Sequence, residues 1–171
     1  VLAAQAVTEE RFADLFSARI WIKFGAEHDA CVRCDAVGEA VPSFGIMATA
    51  RDVGRWGQMC LQRGSWNGTH VVPTAFFDDL EQFTLNGPHL PPESGAGTLQ
   101  PEGTRYRSYF WIPPNNGDRA YCAHGGMGRI CYINPKRNVV IVMLCSWPEH
   151  TLEMVSSQWD GCLEIAKYLS I

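Results

Sequence analysis

The part of the chain best suited to chemistry lies between Ala120 and Pro135, where His124, Gly125, Gly126, Met127 and Gly128 interrupt an apolar and aromatic run. Glycines at 125, 126 and 128 carry no Cβ, so a ligand or another backbone can come close to the main chain. Such a strand edge offers bare N–H groups to an oxyanion, which acyl transfer needs when negative charge develops on a carbonyl oxygen. His124 stands beside the gap, and at neutral pH an imidazole can donate, accept or carry part of a positive charge. On pattern alone, a bulge or tight hairpin also explains the glycines, and a strand histidine satisfied by its neighbours also explains His124.

A second constellation is Cys31-Val32-Arg33-Cys34 with His28 ahead of it, since thiolates and imidazole at such spacing can share one zinc ion. A closed site needs a second pair. Cys60, Cys122, Cys131, Cys145 and Cys162 instead fall singly on expected helices and strands, where cysteine acts as a small buried hydrophobe. No metal and no cofactor are therefore expected. Seven cysteines, an odd number in a chain without the look of a disulfide scaffold, read as free thiols in a reducing cytoplasm. Asn67-Gly68-Thr69 is formally a glycan acceptor, but with no secretory signal it reads as a turn. His28, His70, His89 and His150 show no partner pattern, and Arg51, Asp52, Trp56 and Trp66 read as structural.

The elements that must hold these residues follow from period and punctuation. Thr8 before Glu9 and Glu10 predicts a helix cap, with Phe12, Leu15 and Phe16 as a short apolar face. From Arg19 to Ser43 little periodicity survives Gly25, Gly38 and Pro42, which predicts an irregular excursion able to wall a pocket. Thr49 and Asp52 open a helix in which Val53, Trp56, Met59, Cys60 and Leu61 recur at helical spacing until Gly64. Pro73 starts another helix through about Glu81. Residues 84–104, with Gly87, Pro88, Pro91, Pro92, Gly95, Gly97 and Gly103, predict a long loop. Tyr106–Ile112 predicts a strand, Asn115-Asn116-Gly117 a turn and Arg119–His124 an antiparallel return. Arg129–Ile133 and Asn138–Cys145 predict a second hairpin through Asn134-Pro135-Lys136-Arg137. Leu152, Val155, Trp159, Leu163, Ala166 and Leu169 form a stripe on a final helix that needs a sheet to cover. The expected fold is α+β, an antiparallel sheet with packed helices.

The stretch around His124-Gly125-Gly126-Met127 resembles the third active-site motif of the serine β-lactamase and penicillin-recognising hydrolase family. Within that family it is closest to the 6-aminohexanoate-dimer (nylon-oligomer) hydrolases and related esterases. The family's usual lysine is replaced by His124. Phe44–Gly68, with its closing Trp66-Asn67-Gly68 turn, resembles the family's helix after the active-site loop, and Val71-Val72-Pro73 and Phe76–Leu80 continue it. Phe12–Ala30 resembles the connection toward the substrate pocket, and the end after Asn138 fits the last strand and terminal helix. The resemblance implies that the main-chain N–H of Met127 is one oxyanion donor, that Gly125 and Gly126 leave room for substrate, and that His124 belongs to the catalytic site. There His124 would hydrogen-bond a tyrosine or lysine, or hold a substrate carboxylate.

The same resemblance demands a serine with a lysine three residues later, because the amine must reach the hydroxyl to take its proton. The residues three before Lys23, Lys136 and Lys167 are Ile20, Ile133 and Glu164, so that motif is missing. Tyr132-Ile133-Asn134 and Tyr106-Arg107-Ser108 match the family's tyrosine motif formally, but in predicted strands at the wrong end. Residues 1–171 are therefore expected to be the C-terminal part of a single β-lactamase-like domain whose nucleophile, lysine and tyrosine lie upstream of Val1. The expected partners are a small-molecule amide or ester and the upstream part of the same protein, with a homodimer left open. The alternative is a catalytically silent β-lactamase-like binding or structural domain.

Composition bounds these readings. A chain of 171 residues that is 46% hydrophobic and 19% charged can bury one sizeable core and is not disordered. A net charge of −4 leaves no basic field for counterion release, which sets nucleic-acid binding aside. No window reaches the roughly 18 apolar residues of a membrane span, and the first residues lack the basic flank of a signal peptide. A first residue other than methionine suits a truncated or processed chain.

Overall fold

The computed structural model describes residues 1–91, 99–114 and 117–170. The chain starts with α1 (Leu2–Thr8) and α2 (Phe12–Phe16), followed by a π turn, Ser17–Trp21, and a 3-10 turn, Ile22–Phe24. The expected cap at Thr8 is corrected: Thr8 ends α1, and its hydroxyl bonds back to the Ala4 carbonyl at 2.8 Å. Glu9 is left-handed and breaks the helix, and the Gln5 side chain then accepts from the Phe12 N–H at 2.8 Å to start α2.

The excursion expected from Arg19 to Ser43 is regular at its start, where the π and 3-10 turns run to Phe24, and then holds β1 (Cys31–Val32) and the start of α3 (Pro42–Gly45); β1 is antiparallel to β2 (Ile46–Met47). Next comes α4 (Ala50–Leu61), opened as predicted by Thr49, whose hydroxyl accepts from the Asp52 N–H at 3.1 Å. Asn67 and Gly68, both left-handed, turn β3 (Ser65–Trp66) into β4 (Thr69–His70), so the sequon is a hairpin turn. The following helix, α5 (Thr74–Asn86), runs further than Glu81. Thr84 is buried, and Arg105 takes the terminal carbonyls of Gly87 at 2.6 Å and Thr84 at 3.4 Å. Pro92, Gly95 and Gly97 of the expected loop, and Asn115 and Asn116 of the expected turn, lie outside the described residues.

The single strand predicted over Tyr106–Ile112 is two: β5 (Arg105–Arg107) and β6 (Phe110–Ile112). Ser108 and Tyr109 between them both adopt positive φ, 51° and 67°, the geometry of a two-residue hairpin turn that strand propensity alone does not reveal. The sheet continues as predicted through β7 (Tyr121–Gly125), β8 (Arg129–Asn134) and β9 (Val139–Leu144), in the order β5-β6-β7-β8-β9, with each neighbouring pair antiparallel. The final helix, α6 (Leu152–Leu169), is capped by Thr151.

Both faces of this sheet are covered. Alternate residues Tyr121, Cys131 and Ile133 point to a core shared with Met59 and Cys60 of α4 and Phe77 and Leu80 of α5. Cys122, Ile130 and Tyr132 point the other way, to Val155, Trp159, Cys162 and Ala166 of α6. The stripe on α6 is thus slightly rotated from expectation, since Leu152 and Leu169 are exposed and Cys162 is fully buried. On the first face α4 sits very close: a Cβ on Gly57 would lie 2.7 Å from both Cys131 Sγ and Val140 Cγ1, so only glycine fits. Among the described residues no helix is long and apolar enough to cross a membrane. All seven cysteines are free thiols.

The first turn of α4 also holds a charge cluster. Asp52 is fully buried and accepts from the Glu27 N–H at 2.8 Å, the Thr49 hydroxyl at 2.8 Å and Arg55 at 3.1 Å, with His28 Nδ1 at 3.2 Å. Arg55 also pairs with Glu27. His28, expected to lack a partner, is therefore part of the clasp that ties the irregular segment to α4. Burial pushes the Asp52 carboxyl up, but the hydrogen bonds from Glu27, Thr49 and His28 outweigh it and hold the group down at about 2. A depressed folded value means that the carboxylate's contribution is complete above its unfolded value near about 4 and is lost as pH falls toward about 2. Asp52→Asn is expected to lower unfolding free energy by about 3 kcal/mol at pH 7. Urea titrations of both proteins should show that gap closing between about pH 4 and pH 2; a gap independent of pH would refute the assignment.

Candidate active site

The glycine turn sits where a central strand leaves its ladder. β7 pairs with β8 along its full length, from Tyr121 opposite Ile133 to Gly125 opposite Arg129. On its other side β7 meets β6 through Trp111 opposite Cys122, and β6 begins at Phe110, so the His124–Gly125 end runs past it. The chain then passes through a 3-10 turn, Gly126–Gly128, into β8.

Within that turn Met127 is left-handed, with φ 60° and ψ 31°, and its side chain is exposed. Gly128 follows at φ 81°, and the Trp147 indole packs so closely on it that any Cβ there would collide. At Gly126 a Cβ would meet nothing within 4 Å, and at Gly125 only Arg129, at 3.8 Å or more. Little therefore crowds the main chain at either glycine.

His124 occupies different surroundings. Successive strand residues face opposite ways, so Ala123 lines an apolar groove on the α4 face while the His124 ring lies among Trp147, His150 and Trp159. The ring centroids are 6.2, 5.6 and 5.9 Å away. Burial, and then the neighbouring His150, push His124 down to about 4, so the imidazole is neutral at neutral pH. Its Nε2 is buried and makes no hydrogen bond of ordinary geometry, although the nearby Gln158 side chain works against the downward shift. The groove on the opposite face has a volume of about 840 Å³ and is lined by Trp56, Met59, Phe76, Phe77 and Phe110 among others, with Val41 and Pro42 of the irregular segment at its wall.

The two tyrosine matches are not brought to this turn. Tyr132 is buried on the α6 face, where its hydroxyl accepts from Asn134 at 3.2 Å and burial pushes its ionisation up. Tyr106 packs edge-on against Trp111 in the β5–β6 hairpin. Cys31 and Cys34 are exposed, and among the described residues no group of three or more His, Cys, Asp or Glu gathers as a metal site. Sequence reading missed Trp147, His150 and Gln158 as neighbours of the turn. The helical stripe through Trp159 was a signal that α6 covers this strand, but nothing in the spacing ties Trp147 to Gly128.

An antiparallel five-stranded sheet between α4 and α6, with a glycine turn ending a central strand, is an α+β architecture. A 6-aminohexanoate-dimer hydrolase of Paenarthrobacter ureafaciens is 29% identical over 144 residues, which are 84% of this chain and 36% of that protein. A solved structure described as a candidate 6-aminohexanoate-dimer hydrolase from Bacillus anthracis superposes with a TM-score of 0.84 at 29% identity. It covers 97% of this chain and 40% of its own. No family model matches the chain. The chain is similar to both of these proteins, and it spans between a third and a half of their length.

The environment of His124 makes a direct prediction. Its ring proton resonances should titrate near pH 4, and His150→Gln should move that midpoint upward by removing the neighbouring imidazole. An NMR titration with a His124 midpoint at the ordinary value near about 6.5 would contradict the packing described.

Proposed function

We propose that this chain is the C-terminal portion of a serine hydrolase that cleaves a small linear amide, of the 6-aminohexanoate oligomer type, or a carboxylic ester. The observation that carries the reading is the left-handed Met127 turn at the open end of β7, in a chain related to 6-aminohexanoate-dimer hydrolases. In this reading a serine outside residues 1–171 attacks the substrate carbonyl carbon, the C–N or C–O bond breaks to release amine or alcohol, and water then hydrolyses the acyl-enzyme. The Met127 N–H is one oxyanion donor and the N–H of that serine is the other. One such donor contributes roughly 3 kcal/mol to the transition state. Gly125 and Gly126 leave the space through which the substrate reaches the turn.

His124 takes the position of the family's usual lysine without its charge. A neutral imidazole serves as a hydrogen-bonding group beside the turn and offers no fixed cation to a β-lactam carboxylate. Linear amides and esters therefore rank ahead of β-lactams.

The test is covalent labelling. A protein carrying this chain together with an upstream segment bearing Ser-Xaa-Xaa-Lys should be acylated by a fluorophosphonate on that serine, whereas residues 1–171 alone should not label. Labelling of the isolated segment would sink the proposal. A complete protein inert to the probe would favour a silent binding or structural domain. Assays with an aminohexanoate dimer, a p-nitrophenyl ester and a chromogenic cephalosporin should give turnover in the first two and least in the third.

A further inference from the structure

We propose that Arg129 and Gln158 are positioning residues that aim the Met127 N–H, acting with the backbone of Trp147 as a three-point clamp on the turn. The proposal rests on the reading of Met127 as an oxyanion donor. Three consecutive carbonyl oxygens are each taken by a different donor. The Gly126 oxygen accepts from Arg129 Nη1 at 2.8 Å, the Met127 oxygen from the Trp147 N–H at 3.2 Å, and the Gly128 oxygen from Gln158 Nε2 at 2.8 Å.

The first of these contacts bears directly on the donor. The Gly126 carbonyl and the Met127 N–H belong to one peptide unit, and in a trans peptide they point in opposite directions. A guanidinium fixed on the carbonyl therefore fixes the heading of the N–H. Hydrogen bonds to a charged donor are stronger than neutral ones and polarise the groups coupled to them, so the cation on Gly126 O also makes the Met127 N–H a better donor. Arg129 is exposed, so this contact is no part of either core.

The other two contacts hold the conformation. Met127 is left-handed, a sparsely populated state for a residue with a side chain, and such geometry persists where its surroundings over-determine it. The Trp147 N–H and the buried Gln158 amide supply that determination from the segment after β9 and from α6. The Trp147 indole against Gly128 closes the fourth side. Trp147 and Gln158 anchor the turn from the α6 side, whereas Arg129 leaves β8 on the same face as Cys131 and Ile133.

The experiment uses the complete protein, with Arg129→Met, Arg129→Lys and Gln158→Leu measured against a p-nitrophenyl ester. Arg129→Met and Gln158→Leu are expected to lower kcat about tenfold or more with KM changed less than about threefold, because the lost interaction matters mainly in the transition state. Arg129→Lys should recover much of the loss, since an ammonium can still reach the Gly126 oxygen. The ¹⁵N order parameter of Met127 should fall from a rigid value near about 0.85 toward about 0.6 in both disabling variants. Folded variants that keep kcat within about twofold overturn the proposal, as does a change confined to KM. If the unmodified complete protein turns over neither ester nor amide, the functional reading fails by itself. The clamp is then decided by the order parameters, and an unchanged Met127 value in both variants overturns it.

Discussion

The fold depends on a ladder, β7 with β8, that is buried on both faces. Tyr121, Cys131 and Ile133 belong to the core under α4 and α5, and Cys122, Ile130 and Tyr132 to the core under α6. Backbone polar groups in such a position have no access to water and must be paired inside the sheet. The register from Tyr121 to Gly125 pairs β7 with β8 completely. Main chain becomes available to a ligand only where β6 has already stopped and the ladder itself ends, at residues 125–128. The candidate chemistry lies at the one end of β7 where the sheet releases its backbone.

Covering both faces also sets demands on the helices. α4 approaches β8 and β9 so closely that Gly57 stands against Cys131 and Val140. The start of that helix is then fixed by Asp52, a buried charge whose desolvation is offset by four donors from three parts of the chain. This clasp draws Glu27 and His28 onto the helix. Through them it holds the irregular segment that supplies Val41 and Pro42 to the wall of the groove. The charge cluster at the start of α4 thereby also helps shape the groove.

Much of this arrangement was legible in the residues. The cap at Thr49, the Asn67-Gly68 turn, the hairpin joining β8 to β9 and the α6 helix are all local events, set by one side chain or one turn type. The misses were events whose cause is distant. Thr8 is drawn to the end of α1 because Gln5 is available to start α2, and α5 is extended by Arg105, which lies 18 residues beyond Gly87. The break in Tyr106–Ile112 had a local cause but a weak signature, since Ser108 and Tyr109 are not the residues expected at positive φ. At the candidate site the glycines and His124 could be found in sequence. The surroundings that decide their behaviour could not, because Trp147, His150, Gln158 and Trp159 reach the turn through tertiary packing alone.

Those surroundings separate two properties that a charged strand residue would combine. A lysine at position 124 would both occupy the strand and present a cation, and a desolvated ammonium among two tryptophans and a histidine would carry a heavy penalty. An imidazole pushed down to about 4 fits the same aromatic packing without charge. The geometry of the turn then owes nothing to an ion at position 124. Arg129, Trp147 and Gln158 hold its three carbonyls, and none of them lines the groove formed by Trp56, Phe76 and Phe110 among others. Side chains of the groove can vary in size and polarity without touching the groups that hold the turn.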